Sequence, residues 1–300
     1  MDKQNWPYTN PVDPEIYKSR TDWPKISIVT PSYNQGQFIE ETILSVLNQN
    51  YPNLEYIIID GGSTDNTVEL IKKYEDRITY WVSEKDKGQA DAINKGLEKA
   101  SGDFLCFINS DDTFNPLAFK ELVQCFIDES IVLSYSNVYR ISEGGENLGQ
   151  VFSISNPDDT RFLIFKGCPF PQPGVMFRTT TLKANNGFNC KLQLSFDYDC
   201  FLRLSFCGQF AKTDFYSANF RTHSKQKTFA ASLPETNEML SVLKPYLKDS
   251  RLQTKQKQFL KQGIAIQYQL KSKIYKKQKN YFYFIYYFVR FAILYLPNKR

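Results

Sequence analysis

This sequence of 300 residues lacks the glycine-rich motifs of two large classes of nucleotide-binding enzyme. No GxGxxG is present, which argues against an oxidoreductase that binds a dinucleotide. No GxxxxGK[ST] is present either, which argues against a P-loop phosphotransferase. Proline and glycine are sparse, with 14 of each, and the hydrophobic content of 42% is typical of a folded globular protein. We therefore expect a folded chain that uses another ligand-binding arrangement.

Paired cysteine motifs and a secretory signal are also missing. The six cysteines have no CxxC spacing, and Cys106 and Cys125 fall within predicted core elements, which favours reduced thiols. The polar segment 1–22 has no apolar region of the kind that signal peptides contain. The sequence therefore predicts that the folded body of the protein stays in the cytoplasm.

Acidic residues are almost absent from the C-terminal part. Residues 241–300 contain eleven lysines and three arginines but one acid, Asp249, so this segment has a net charge of +13. Because the whole chain has a net charge of +5, residues 1–240 carry −8. A basic tail on an acidic body predicts an anionic partner, with a membrane leaflet and nucleic acid both open at this point. The alternative is a solvated lysine-rich helix.

Apolar runs alternate with amphipathic stretches between residues 25 and 126, which is typical of βαβ units around a mostly parallel sheet. The predicted strands are 26–30, 54–60, 78–82 and 104–108, and the predicted helices are near 37–48, 66–74 and 89–99. A further helix is predicted to begin at Asn115 as its cap, with Pro116 at the first helical position. The later elements are predicted as strands 132–141 and 174–178, a helix 199–206, and two helices within 234–279.

Polar residues follow three of the predicted strands, where ligands bind in open α/β sheets. Asp111 and Asp112 follow the fourth strand, and paired carboxylates suit a hard divalent cation that also binds substrate phosphates. The alternative is an acidic turn before the next helix. After the second strand, Asp60 precedes two glycines that let the backbone approach a ligand, so Asp60 is a candidate acceptor for a base or ribose hydrogen bond.

Taken together, four segments resemble the family 2 glycosyltransferases, which have the GT-A fold. The segments are 26–34, 60–67, 88–96 and 109–112, and the resemblance covers roughly residues 24–223. It implies an α/β fold with a Rossmann-like, mostly parallel central sheet flanked by helices, here with a helical C-terminal extension. The predicted parts are a polar segment 1–23, a GT-A domain 24–230 made of a nucleotide-binding half 24–126 and an acceptor half 127–230, and a basic helical extension 231–300 with an aromatic tail.

The resemblance also implies roles for individual residues. The acidic motif after the fourth strand binds ribose and the metal–diphosphate in this family, which makes Asp112 the expected metal ligand. His223 lies in a segment, 221–228, that resembles a family segment whose histidine approaches the metal, and Lys225 and Lys227 are expected to face phosphate; a structural role for His223 is the alternative. The expected donor-binding residues are Thr30, Pro31, Tyr33, Asp60, Gly88, Asp91, Asn109 and Asp111. For Asp91 and Asn94, solvated positions on an amphipathic helix are the alternative.

Residues 196–203 resemble the family's stretch that ends in an ED-like motif, which makes Asp197 the expected general base. Phe196 replaces the glutamate of that motif, so Asp199 stays open as the base, and either aspartate can instead cap the following helix. Asn109 replaces the first acid of a DXD triplet and Gly61 replaces a frequent second acid. Asn109 still offers a carbonyl oxygen, so a weaker metal site is expected.

Residues 281–296 are almost entirely aromatic and aliphatic. The run is shorter than the roughly 20 apolar residues of a transmembrane helix, and Arg290 interrupts it. Five lysines precede it, at positions 271, 273, 276, 277 and 279. This pattern predicts an interfacial segment on an anionic leaflet, and the alternative is a helix that packs on the enzyme body or on a partner subunit.

These expectations combine into an inverting glycosyltransferase. It would move a sugar from a nucleotide-diphosphate donor, with UDP as the expected nucleotide, to a hydroxyl of a glycan or glycolipid. Cell-surface polysaccharide assembly, a Mn²⁺ or Mg²⁺ cofactor and a cytoplasmic, membrane-peripheral location are implied by the resemblance and the tail, and no nucleic-acid partner is expected. The alternatives are a nucleotidyltransferase, which should have a basic glycine-rich loop after the first strand where Pro31 lies, and a non-catalytic nucleotide-sugar-binding subunit.

Overall fold

The computed structural model describes residues 6–7, 10–227 and 232–295. The strands are β1 Ile26–Ser32, β2 Leu54–Asp60, β3 Tyr80–Ser83, β4 Phe104–Phe107, β5 Thr113–Phe114, β6 Ile131–Ile141, β7 Asn147–Val151, β8 Val175–Arg178 and β9 Gln209–Arg221. The α-helices are α1 Ile39–Leu47, α2 Thr67–Lys72, α3 Gln89–Lys99, α4 Ala118–Val123, α5 Pro157–Leu163, α6 Thr179–Ala184, α7 Phe196–Leu204, α8 Leu233–Leu243, α9 Thr254–Lys277 and α10 Tyr281–Tyr295. Short 3₁₀ helices occur at Pro14–Tyr17, Glu75–Arg77, Gln172–Gly174 and Lys244–Lys248.

The first four strands form a parallel array in the order β3-β2-β1-β4. All seven residues of β1 are buried, because helices cover both faces of a parallel sheet and leave no polar face. The remaining strands extend the sheet as β8-β6-β9-β5, with β7 paired to β6. The predicted α/β fold with a mostly parallel central sheet is therefore confirmed, and β2 and α3 have the predicted bounds.

Several elements after β4 differ from the sequence prediction. The helix predicted to begin at Asn115 begins at Ala118, because Leu117 has a left-handed φ of 73° that interrupts a helical path. Asn115 does not cap this helix with its side chain, which instead donates to the carbonyl of Tyr216 at 2.8 Å. The strand β9 was not predicted at all; it runs parallel to β6 and antiparallel to β5.

The two helices predicted within 234–279 are present as α8 and α9, and the aromatic tail forms a third helix, α10. Leu240, Leu243, Leu260 and Ile264 on α8 and α9 are buried in the same hydrophobic cluster as Val29 of β1. The proposed boundary at residue 230 stays a prediction, and the core continues across it. Thr228, at the end of the predicted segment 221–228, lies outside the described residues. Leu296, at the end of the aromatic tail, does as well.

None of the described helices is long and apolar enough to cross a bilayer. The helix α10 nevertheless leaves much of its apolar surface exposed, including Phe282 and Ile293 at 75% and 65% exposure. All six cysteines are unpaired, as expected.

Candidate active site

A cavity of about 550 Å³ lies at the carboxyl edge of the parallel strands. Its walls come from the segments after β1 and β4, from the start of α3, and from the chain before and within α7. Six of the predicted site residues line it: Pro31, Tyr33, Gly88, Asn109, Asp111 and Asp197. Pro31, Tyr33, Asn109 and Asp111 come from the ends of the first and fourth predicted strands, whereas Gly88 and Asp197 were expected from the family resemblance.

Asp111 lines this cavity and pairs with His223, which lies behind it and does not itself line the cavity. The Oδ2 atom of Asp111 lies 3.0 Å from Nε2 of His223, although the two residues are 112 positions apart. The His223 ring packs against Phe38 with a centroid separation of 4.8 Å, and its side chain is 3% exposed. A buried imidazole held beside a carboxylate supplies one nitrogen and one oxygen ligand in a fixed arrangement.

Arg221 fixes the end of β9 against the acidic run, and the sequence analysis did not identify it. Its backbone N–H donates to Oδ1 of Asp112 at 2.8 Å, and its Nε donates to the carbonyl of Asp111 at 2.8 Å. The guanidinium also forms an ion pair with Glu41 and stacks over Phe38, so the side chain is 1% exposed. This anchoring places His223, two residues further along, beside Asp111.

Asp112 is buried behind this edge, with 1% exposure, and does not line the cavity. Besides the Arg221 amide, its carboxylate accepts from Nδ2 of Asn109 at 3.3 Å. Burial and the neighbouring charge of Asp111 raise the pKa of Asp112 well above its usual range. Its role as metal ligand stays a prediction, and the geometry favours Asp111 as the carboxylate that a cation would reach first.

The carboxylate of Asp60 is fully buried and engaged by the loop that follows it. It accepts from the amides of Gly62 and Ser63 at 3.1 and 2.8 Å and from the hydroxyls of Ser63 and Ser83 at 2.5 and 2.6 Å. Its contact with the nucleobase stays a prediction; in this structure Asp60 shapes the loop. Thr30 is likewise buried and bonds to the hydroxyl of Tyr56.

The start of α3 lies close to Gln193, in the segment before α7. Gly88 has a φ of 112°, and a Cβ at this position would lie 2.7 Å from Oε1 of Gln193. Gln89 donates to the side chain of Asn109, which connects this helix to the acidic run. Asp91 accepts from the amide of Lys87 at 3.1 Å and does not line the cavity. Glycine suits position 88 because L-residues with a side chain rarely adopt this φ, whereas the flexible Gln193 side chain could move aside.

Asp197 and Asp199 lie on the same helix α7 but have different surroundings. Asp197 lines the cavity and has no ion-pair partner among the described residues. Burial raises the pKa of Asp197 to about 6, and the charge of Glu235 adds to the effect while the Tyr198 amide opposes it. Asp199 instead pairs with Nε of Arg203 at 2.9 Å and is absent from the cavity wall. A carboxyl with a raised pKa at a ligand site is suited to accept a proton.

Glu238 on α8 holds the turn that leads into α7, and the sequence analysis also missed it. Its carboxylate accepts from three consecutive amides, those of Gln193, Leu194 and Ser195, at 2.9, 2.8 and 3.0 Å. Gln193 and Leu194 line the cavity. The C-terminal extension therefore shapes the wall that carries Asp197.

A divalent cation fits the residues present, although the described part of the chain contains no group of three or more His, Cys, Asp or Glu side chains arranged to hold a metal. Asp111 offers an oxygen ligand on the cavity wall, and His223 offers a nitrogen ligand directly behind it. Mg²⁺ and Mn²⁺ sites in phosphate-transferring enzymes often use one or two protein ligands, with water and substrate phosphate oxygens completing the shell. The donor set suits a cation that binds together with its substrate.

Comparison with solved structures identifies the fold. The S. aureus TarS 1–349 structure has a TM-score of 0.68 at 19% identity and covers 89% of this chain and 80% of that one. The mannosyltransferase PcManGT from Pyrobaculum calidifontis, solved with GDP-Man and Mn²⁺, has a TM-score of 0.60 at 15% identity. The match covers 99% of this chain and 92% of PcManGT. Both likenesses confirm the predicted GT-A fold.

Comparison of sequences identifies the family. A glycosyltransferase of Rickettsia bellii is 36% identical over 180 residues, which are 57% of this chain and 26% of the relative. The Bacillus subtilis protein TuaG, named for teichuronic acid biosynthesis, is 36% identical over 132 residues. These residues are 43% of this chain and 52% of TuaG. The chain thus spans between a quarter and about half of the length of these relatives. The sequence model described as glycosyl transferase family 2 matches residues 27–183, more than half of the chain. The chain therefore belongs to glycosyl transferase family 2, as its motifs predicted.

Proposed function

We propose that this protein is an inverting glycosyltransferase that uses a nucleotide-diphosphate sugar. The observation that carries the proposal is a single cavity lined by Asp111, which pairs with the buried His223, and by Asp197. The first suits a metal-bound diphosphate and the second suits an acceptor hydroxyl. Direct displacement needs one base and no covalent intermediate, so one carboxylate at the acceptor side is sufficient.

The residues in and around the cavity have different roles in the proposed reaction. Asp111 and His223 would hold a Mn²⁺ or Mg²⁺ ion, with Asp112 a further predicted ligand and Asn109 beside them. When bound, the cation neutralises the charge that develops on the leaving diphosphate. Asp197 accepts the proton of the acceptor hydroxyl as that oxygen attacks the anomeric carbon. Lys225 and Lys227 line the cavity and attract the phosphates.

We infer UDP as the nucleotide. Structures of the S. aureus TarS fragment in complex with UDP and with UDP-GlcNAc have TM-scores of 0.66 and 0.62 against this chain. The fold is shared, so a nucleotide in the corresponding cleft would lie along the segment after β1, where Pro31 and Tyr33 line the cavity. Thr30, Asp60 and Asp91 stay predicted donor-binding residues that act from behind that wall.

We infer a glycan or glycolipid acceptor in cell-surface polysaccharide synthesis, because TuaG is named for such a pathway and TarS shares the fold. The helix α10 supports a location at the inner membrane face. It exposes aromatic and aliphatic side chains, and the chain from residue 250 to 295 contains no acid. A basic, apolar helix of this kind binds anionic leaflets at the interface.

Thermal unfolding in the presence of a panel of nucleotides tests the proposed donor class. We expect Mn²⁺ with UDP or a UDP-sugar to raise the melting temperature, because a ligand at about 100 times its Kd stabilises the folded state by about 2.7 kcal/mol. GDP-sugars and nucleoside monophosphates serve as controls. A melting temperature that no nucleotide diphosphate raises would contradict the proposal.

The pH dependence of transfer provides a second test. Because Asp197 accepts a proton only when ionised, and its pKa is raised to about 6, we expect kcat/KM to fall below about pH 6. The expected loss is about tenfold for each further pH unit. UDP affinity measured over the same range is the control, since a parallel fall would place the effect in donor binding. A plateau that extends down to about pH 4 would show that Asp197 is not the base.

A further inference from the structure

The helix α10 packs on α9 through one side and leaves a groove beside the contact. Tyr287, Phe291 and Leu294 pack against the main hydrophobic cluster. The ring of Tyr287 stacks with Tyr268 and Tyr275 of α9 at 6.0 and 5.6 Å between centroids. These contacts fix α10 alongside α9 and define one wall of the groove.

The groove has a volume of about 820 Å³ and lies between α9, α10 and the 3₁₀ helix Lys244–Lys248. Its lining is largely apolar, comprising Leu247, Ile264, Tyr268, Tyr286, Val289, Ile293 and Leu294. Two cations, Lys244 and Arg290, complete the wall. Ile293 is 65% exposed and Val289 48%, so the groove is open to solvent along its length.

Both cations lie near the same aromatic ring, that of Tyr268. The Lys244 ammonium lies 5.6 Å and the Arg290 guanidinium 5.7 Å from the centroid of Tyr268. Arg290 also donates weakly to the Tyr268 hydroxyl at 3.4 Å. Neither cation takes part in a salt bridge with any carboxylate of residues 6–7, 10–227 or 232–295. The groove therefore combines an apolar trough with two positive charges that no acid neutralises.

We propose that this groove is a binding site for one anionic phospholipid of the membrane. An alkyl chain lies along Val289, Ile293 and Leu247, and the phosphate lies between Lys244 and Arg290. The proposal adds a specific lipid-binding site to the inferred membrane location of α10, and it rests on that inference. Charge complementarity favours a lipid over an apolar peptide, which would leave both cations unpaired in the interface.

The position of Lys244 relates the groove to the candidate active site. Lys244 follows α8 directly, six residues after Glu238, which is roughly 9 Å along a helix axis. Glu238 holds the cavity wall that carries Asp197. A lipid bound in the groove would thus lie next to the acceptor side of the enzyme.

The test measures binding of a soluble lipid to the whole protein by calorimetry. The probe is dihexanoyl phosphatidylglycerol below its critical micelle concentration, with dihexanoyl phosphatidylcholine and inorganic phosphate as comparisons. We expect the anionic lipid alone to bind, Ile293→Glu to abolish binding, and Lys244→Ala to weaken it at least about tenfold, as the loss of a charge-assisted contact predicts. Equal binding of phosphatidylcholine, or of phosphate without any chain, would overturn the proposal.

Ile285→Glu is the matched control. Ile285 is 58% exposed on the same helix but lies outside the groove, roughly 12 Å along the axis from Ile293. Both substitutions should reduce attachment to phosphatidylglycerol vesicles, while only Ile293→Glu should abolish short-chain lipid binding. An equal loss of short-chain lipid binding in the two variants would show a nonspecific apolar face. Nucleotide-induced stabilisation of the same proteins is measured separately, so failure of the glycosyltransferase proposal would be recognised independently.

Discussion

Replacing Asp197 with asparagine is expected to lower kcat for sugar transfer by about 10²- to 10⁴-fold, the usual contribution of a positioned general base. The amide has nearly the same shape as the carboxyl, so the turn before α7 and its three bonds to Glu238 should persist. UDP affinity should therefore change less than about twofold, which separates the loss of chemistry from a loss of binding. The measurement is steady-state transfer together with calorimetric titration of UDP.

Asp199→Asn is the matched control on the same helix. Asp199 pairs with Arg203, whose guanidinium also donates to the carbonyls of Asn185 and Gly187. This substitution should lower stability, by about 1 to 3 kcal/mol for a weakened buried bond, while kcat stays within about threefold. If Asp199→Asn abolished transfer and Asp197→Asn did not, the base would be Asp199. If both variants kept full transfer activity, the proposed displacement mechanism would be wrong.

Replacing Asp111 with asparagine is expected to reduce catalytic efficiency by about 10²- to 10³-fold, comparable to the loss of a group that stabilises developing negative charge. The proposed cation would lose its exposed anionic ligand, although the Arg221 bond to the Asp111 carbonyl would remain. The distinguishing measurement is UDP affinity with and without Mn²⁺. Added Mn²⁺ should strengthen UDP binding to the unaltered protein and have little effect on the variant.

Asp112→Asn distinguishes the two neighbouring acids. Its side-chain oxygen can still accept from the Arg221 amide, and the residue is buried behind the cavity edge. We therefore expect the Mn²⁺ effect on UDP affinity to persist in this variant. The opposite pattern, with the effect lost in Asp112→Asn and kept in Asp111→Asn, would establish Asp112 as the ligand that its motif position predicted.

The parallel half of the fold was predictable because its strands are short apolar runs that end in polar residues. Buried strands such as β2 allow little choice of register, and their carboxyl ends must meet at one edge. The strand-end pattern pointed to Asn109 and Asp111, and both line the cavity, whereas Gly88 was expected from the family resemblance. The same pattern also pointed to Asp60 and Asp112 as ligand-contacting residues, and those roles stay predictions. Both side chains are buried, and burial depends on how the loops after the strands pack, which a local sequence pattern does not show.

The second half was less predictable because its contacts are distant in the sequence. The strand β9 has a mixed burial pattern without clear alternation, and it pairs with β5 about a hundred residues earlier. Arg221 is fully buried, whereas arginine is usually exposed, so no local signal identified it. The signal for Glu238 was equally weak, since an acid on an amphipathic helix normally faces solvent.

The carboxylate of Glu238 also determines where this chain can be divided. The family match ends at residue 183, and a protein engineer exchanging catalytic modules among relatives would naturally place a junction soon afterwards. A junction before Leu233 would remove the acceptor of three amides in the turn before α7 and uncover the core side chains that α8 contributes. Chimeras of this enzyme should therefore carry α8 with the catalytic sheet, so the smallest transplantable unit is longer than the segment that defines the family.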